Sequence, residues 1–285
     1  MRKTLVKGKA VFIVRRLIKR YFRDGVSKTG AELAYFFLFS FFPFLIFINL
    51  LVGTFDIPID TVIGWLNVVP PDVERIVTEY FAYIGRFESR TLLVTGLLLT
   101  LYFASRAIDS LIQAVNMAYR VRKKRPGVWN MIFSIGFTAV IMISFGVMFI
   151  IMISGKNVLF AIIDFVKVPI LTRDFIYLWD ALRYLIAAVY SFFLLISIYY
   201  VVPNKRLTFR SAVPGALFAM LSWLAISSGF SFYVQNMGRY SALYGSIGAV
   251  MVLMLWLYLT GIVLVMGAEL NDIILMLKEE SESLG

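Results

Sequence analysis

Five side chains combine charge or hydrogen-bonding power with an apolar setting: Glu32, Arg106, Asp109, Asn116 and Glu269. An ionisable group costs about 2.5–3.5 kcal/mol at the centre of a membrane helix on insertion scales, so such groups are default functional candidates. Arg106 and Asp109 stand three residues apart, which places them on one helix face, and Asn116 extends the Asp109 face by two turns. Glu32 opens the first long apolar stretch and Glu269 closes the last. The charged members share a similar depth, so three carboxylates and one guanidinium can converge on an inward-facing polar pocket. Two roles are open to that pocket. It is an ion-pair network pinning the first, second and sixth spans, or a headgroup or ion site open to the cytoplasm.

Other chemistry is poorly supplied. The chain has no Cys and no His. Disulfides, thiolate metal sites and cysteine nucleophiles are excluded, and the commonest general base and zinc ligand are missing. Ser40, Ser134, Ser144, Ser227 and Ser228 are hydroxyls in apolar stretches, but no histidine exists to activate one and no lysine lies within a span. No G-x-x-x-x-G-K-[ST] phosphate loop is present. The carboxylates near the apolar stretches are too scattered to assign a magnesium site. The sequence therefore predicts no catalytic residue, no metal and no cofactor.

The elements that must carry these residues are helices in lipid. Uncharged stretches cover 33–55, 91–105, 126–155, 184–204, 211–238 and 240–268. A bilayer core about 30 Å thick needs roughly 20 apolar residues per helix. Five stretches meet that length, and 91–105 meets it by running on past Arg106. Hydrophobic residues make up 60% of the chain and charged ones 16%, whereas a soluble domain is about one quarter charged. The expected fold is all-α: a polytopic membrane protein with a six-transmembrane-helix bundle. A single membrane domain covers 1–285, with spans near 31–53, 91–112, 128–154, 182–202, 212–234 and 243–270.

Details follow from local signals. Residues 10–22 place Ala10, Val11, Val14, Leu17, Ile18 and Tyr21 at helical spacing among Arg and Lys, which predicts an amphipathic interfacial helix. Pro43 sits about 16 Å into the first span, and Pro214-Gly215 lies near one end of the fifth, so both prolines are helix-break candidates. Each is a packing kink or a break lining a cavity. Gly136 and Gly146 in the third span, and Gly245, Gly248, Gly261 and Gly267 in the sixth, offer close helix contact. Short extracytoplasmic helices are expected in the 54–90 connection, one opening at Pro70-Pro71-Asp72. Asp180 and Arg183 form an anchoring pair at the outer end of the fourth span.

Charge sets the expected orientation. Residues 1–30 carry ten Lys/Arg against Asp24, and 120–125 hold Arg120, Arg122, Lys123, Lys124 and Arg125. The 203–210 turn adds Lys205, Arg206 and Arg210 with no acid, whereas 56–90 carries three Arg against six acids. Basic and non-basic loops alternate, so the basic ones and both termini are expected in the cytoplasm. The net charge of +11 is thereby read as a topology signal facing anionic lipid headgroups, not as a nucleic-acid surface.

Three segments resemble the YihY/BrkB family of bacterial inner-membrane proteins. They are LAYFFLFSFFPF, with Leu33-Ala34-Tyr35, Ser40 and Pro43; SRAIDSLIQAVNMAY, Ser105 to Tyr119; and Tyr244 to Asn271, ending Gly267-Ala268-Glu269-Leu270-Asn271. The resemblance implies a six-helix bundle in the bacterial cytoplasmic membrane with both termini inside. Members of that family were long labelled ribonuclease BN, some are linked to virulence or serum resistance, and one branch is connected with export of lipid A precursors. The position of Glu32 is more often uncharged in the family pattern. The ribonuclease label conflicts with a chain that has no histidine.

Two functions are compatible with these residues. One is a transporter or flippase of a lipid or other amphiphile, using the kinked helices and buried charges to escort a polar headgroup. The other is a non-catalytic structural or assembly protein that organises lipids or partners in the envelope, and a homo-oligomer fits either. An enzyme is the least supported.

Overall fold

The computed structural model describes the backbone of residues 2–54, 90–121, 126–166, 173–236 and 238–283, and side chains within 11–45, 94–121, 126–148, 184–233 and 250–283 together with a few flanking positions. Seven helices account for nearly all of it: α1 Arg2–Arg23, α2 Val26–Thr54, α3 Arg90–Ala118, α4 Gly127–Val166, α5 Arg173–Val201, α6 Phe209–Asn236 and α7 Gly238–Ser283. No strand occurs among the described residues. That is the economy lipid imposes, because a helix satisfies its backbone groups internally. Segments of five helices are long and apolar enough to cross a membrane: Val94–Ala118, Gly127–Met148, Tyr184–Val201, Phe209–Tyr233 and Val250–Ser283. The backbone of the remaining expected span, 31–53, is helical throughout within α2. The helices expected in 54–90 and the Asp180–Arg183 pair fall outside the described side chains.

α2 packs on α3 and α7, α6 on α7 and α5, and α4 on α3 and α5, so the six long helices follow one another around a ring. α3 also touches α7 across it, and α1 lies against α7 and α2. α7 is the hub. Its 46 residues extend about 69 Å at 1.5 Å per residue, more than twice a bilayer core. Two glycine crossings draw its neighbours in. A Cβ on Gly261 would stand 3.1 Å from the Cα of Gly30 on α2, and one on Gly215 of α6 would lie against the carbonyl of Gly267. Among the described residues the expected contacts at Gly136 and Gly146 are absent: nothing described lies within 4 Å of a Cβ built at either. That part of α4 turns outward, with Val140, Ile143 and Val147 exposed.

The helical backbone is continuous through both helix-break candidates: α2 runs through Pro43 and α6 through Pro214. Around Pro214 a neighbouring helix bonds the flanking backbone. Asn271 of α7 accepts the Gly215 N–H on Oδ1 at 2.6 Å and donates from Nδ2 to the Ala212 carbonyl at 3.2 Å. A side chain thus partners the backbone on either side of the proline. Helix-to-helix hydroxyl bonds join other pairs: Ser27 with Tyr258 at 2.7 Å, Ser144 with Tyr190 at 2.8 Å, and Trp256 Nε1 donating to Ser227 at 3.1 Å. Two of the candidate serines, Ser144 and Ser227, are therefore spent on packing.

α1 starts earlier than expected and is partly sunk into the bundle. Leu17 and Arg20 are buried, while Val11, Val14, Ile18 and Phe22 form an exposed apolar stripe. The chain turns into α2 at Gly25, whose φ of 65° lies in the left-handed region that favours glycine.

Candidate functional site

Charged side chains gather in two places. The first is where α1 meets α7 and the end of α3. Arg20 donates from Nη1 to Glu269 Oε2 at 2.7 Å and from Nη2 to Asp272 Oδ2 at 2.8 Å. Its side chain is 3% exposed, and those of Glu269 and Asp272 are 1% and 4%. Glu269 and Asp272 are three apart on α7, so one guanidinium fork can reach both. Beside this pair of bonds, Asp24 accepts hydrogen bonds from Arg120 and, at 3.1 Å, from Arg23 Nε. Burial works against the ionised Asp24, but the bonds and charges of Arg120 and Arg23 outweigh it and hold the carboxyl at a pKa of about 2.

Arg120 occupies an unusual backbone position for its type. α3 ends in paired carbonyl-capping bonds, Val121 N–H to Asn116 O at 2.9 Å and Arg120 N–H to Met117 O at 3.1 Å. That cap places Arg120 at φ 54°, a conformation costing a side-chain-bearing residue about 1–2 kcal/mol. Glycine would relieve the strain and lose the bond to Asp24. Three arginines (Arg20, Arg23, Arg120) thus face three carboxylates (Asp24, Glu269, Asp272), a balanced set. Among the described residues, no three acidic groups come together to hold a metal ion.

The second place is a groove of about 580 Å³ between α3 and α4. The polar part of its lining, termed the floor, is Arg106, Asp109 and Gln113 from α3 with Asn130 and Ser134 from α4. The apolar part, termed the wall, includes Leu98, Leu101, Tyr102, Met131 and Ile135. Asp109 is the organiser. It accepts from Asn130, from Gln113 at 3.3 Å, and faces Arg106 at 3.6 Å. The Arg106 side chain is 52% exposed and that of Asp109 19%. The guanidinium lies 5.9 Å from the Phe36 ring centre, a weak cation–π contact.

The five residues singled out from sequence therefore separate. Arg106 and Asp109 meet, as their spacing requires, and they line the groove. Glu269 belongs to the Arg20 cluster instead. Asn116 is buried and structural in its contacts: its Oδ1 accepts the Asn204 N–H at 2.8 Å, tying the end of α3 to the turn before α6. Glu32 is exposed on α2. The single converging pocket is not formed. Arg20, Asp24 and Asp272 were not distinguishable among many surface-type charges. Asn130 lay just inside an apolar stretch that begins at Pro126, and that placement was the available signal.

Long apolar helices, buried ionic locks and a polar-floored groove define a polytopic helical membrane protein. A family profile described as virulence factor BrkB matches residues 17–283. The chain belongs to the virulence factor BrkB family. It is 34% identical over 264 residues to the putative ribonuclease-like protein YfkH of Bacillus subtilis, covering 92% of this chain and 94% of that one. It is 26% identical over 295 residues to a UPF0761 membrane protein of Pseudoalteromonas atlantica, covering 96% and 90%. No solved structure matches it.

Proposed function

We propose that this protein moves a lipid or another amphiphile across the bacterial cytoplasmic membrane, accepting it sideways through the α3–α4 groove. The observation that carries this reading is the division of one 580 Å³ groove into an apolar wall and a floor holding Arg106 and Asp109. That division matches a molecule with a greasy tail and a charged head, and the volume falls in the ordinary range of ligand sites, about 300–1,000 Å³. The basic loops orient both termini toward the cytoplasm. On that orientation the floor lies toward the cytoplasmic leaflet, and the α1 stripe of Val11, Val14, Ile18 and Phe22, flanked by Arg15 and Lys19, rests on anionic headgroups there.

The test is reconstitution of the purified chain in liposomes with headgroup-varied fluorescent lipids. Translocation above that of empty liposomes, reduced by Arg106→Gln, is the expected result. Background rates for every headgroup would overturn the reading.

The balanced Arg20 cluster favours a second reading, a non-catalytic assembly protein built for rigidity. In that case Arg106→Gln lowers stability and function together, whereas transport loses function in a protein that stays folded. The ribonuclease-like name of YfkH is that protein's own. Here, with no histidine in the chain, RNA cleavage would have to depend on carboxylates, and among the described residues no three of them come together to hold a metal ion.

A further inference from the structure

Two polar groups in the groove lack what comparable groups elsewhere in the bundle possess. The first is the Ser134 hydroxyl. Helix hydroxyls in apolar settings ordinarily donate back to a carbonyl three or four residues earlier. Thr100, Ser105, Thr138 and Ser144 all do so, at 2.7–2.8 Å. Ser134 does not. Its residue is 2% exposed, and its oxygen has no hydrogen-bond partner among the described residues. The second is Arg106. A guanidinium carries five N–H donors, and the one carboxylate it faces stands at 3.6 Å. Arg20, by contrast, holds two carboxylates at 2.7 and 2.8 Å. Both under-satisfied groups line the same groove.

Charge narrows the missing partner. Asp109 neutralises Arg106, so the floor is close to neutral before any ligand arrives. A phosphate monoester brings up to two negative charges and would leave the floor doubly negative beside Asp109. A phosphodiester brings one and leaves the floor singly negative, a charge that a cationic donor at Asp109 cancels. A carboxylate is acceptor-only, with room for about four donors, and Asp109 takes Asn130, Gln113 and a long contact from Arg106. A further ammonium or hydroxyl fits it. Leu98 lies about 12 Å along α3 from Arg106 at 1.5 Å per residue, so the apolar wall runs on from the floor for the length of an acyl-chain segment.

We propose that the floor of the α3–α4 groove binds a phosphodiester headgroup that also carries a hydrogen-bond donor, with the phosphate on Arg106 and Ser134 and the donor on Asp109. This assignment rests on reading the groove as an amphiphile site and names the class of head it selects.

The experiment uses the full chain in detergent, with bound lipid counted by native mass spectrometry. The probes are phosphatidylethanolamine and phosphatidylglycerol (diesters with donors), phosphatidylcholine (a diester without one), phosphatidic acid (a monoester) and water-soluble glycerophosphoethanolamine. The two donor-bearing diesters should bind about tenfold tighter than phosphatidylcholine or phosphatidic acid, the scale of one charge-assisted hydrogen bond. Arg106→Gln should remove most of that binding, and Ser134→Ala about threefold, at unchanged melting temperature. Asp109→Asn should erase the preference over phosphatidylcholine and favour the monoester. Equal affinity for all four lipids, or indifference to Arg106→Gln and Ser134→Ala, overturns the proposal. Glycerophosphoethanolamine binding as tightly as the lipid keeps the head chemistry and overturns a lipid as its source. Selective binding without translocation in liposomes sinks the transport reading alone; translocation without headgroup selectivity sinks this one alone.

Discussion

Arg20 and Arg106 are the same side chain facing the same kind of partner, and they live under different rules. Arg20 is 3% exposed and held by two carboxylates below 3 Å. Arg106 is 52% exposed and meets its carboxylate at 3.6 Å. Taking a charge out of water costs several kcal/mol, so a buried ion survives only with good geometry and matched partners. The Arg20 cluster meets both conditions, with three arginines against three carboxylates. The groove matches Arg106 with Asp109 one to one but only at 3.6 Å, and Ser134 has no hydrogen-bond partner among the described residues. Among the described residues Arg20 leaves only its Nε without a partner, against two short carboxylate bonds, whereas Arg106 has one long contact beside an unpartnered Ser134. On the proposed function the tightly paired region supplies rigidity and the loosely paired one recognition.

That contrast can be broken at either end. The largest stability effect should come from Arg20→Met, which strands Glu269 and Asp272; breaking a buried pair costs about 3–5 kcal/mol. Thermal unfolding in detergent measures it. The triple variant Arg20→Met, Glu269→Gln, Asp272→Asn should be more stable than Arg20→Met alone, since no uncompensated charge remains. A triple variant as unstable as the single one would argue that packing, not charge, holds α1 in place.

Asn271→Ala comes next. It removes the acceptor for the Gly215 N–H and the donor to the Ala212 carbonyl beside Pro214, and about 1–3 kcal/mol is expected for buried backbone groups left unpaired. Asn271→Asp should recover the acceptor alone and fall between the two in melting temperature.

Acid probes the rim of the cluster. The Asp24 carboxyl titrates at about 2 in the folded protein against an ordinary 3.8. Its contribution to stability is therefore complete above about pH 4 and is lost as pH falls toward 2. Asp24→Asn should flatten that part of a melting-temperature profile and lower the melting temperature at neutral pH, where the Asp24 contribution is complete.

The smallest stability effect belongs to Arg106→Gln. A half-exposed group with one long contact should shift stability by no more than about 0.5 kcal/mol, while translocation and headgroup binding collapse. If melting temperature and function fell together, the groove would join the Arg20 cluster as structure.

Some of this was legible before any coordinates. The helices follow from apolar length, and the Arg106–Asp109 pair from three-residue spacing. Glu269 was recognisable as a group that needed a partner, but the partner was not. Arg20 stands 249 residues away in sequence, one of ten cations in the first thirty, and its helical pattern resembles that of its exposed neighbours Arg15 and Lys19. The glycines were equally mute. Gly261 and Gly267 sit at helix crossings while Gly136 and Gly146 meet nothing among the described residues, and all four look alike in an apolar run. The prolines left a kink and a break both open, and nothing local to Pro214 shows that Asn271 bonds the backbone on either side of it from another helix.

By itself the sequence determined the solvent. Unbroken apolar runs of twenty or more residues have no stable place in water, so helices in lipid were obligatory, and spacing along one helix settled which charges share a face. Only the tertiary structure decided which charges are tightly paired. Tight pairing depends on groups from different helices meeting within about 3 Å, and no periodicity within a single helix carries that distance.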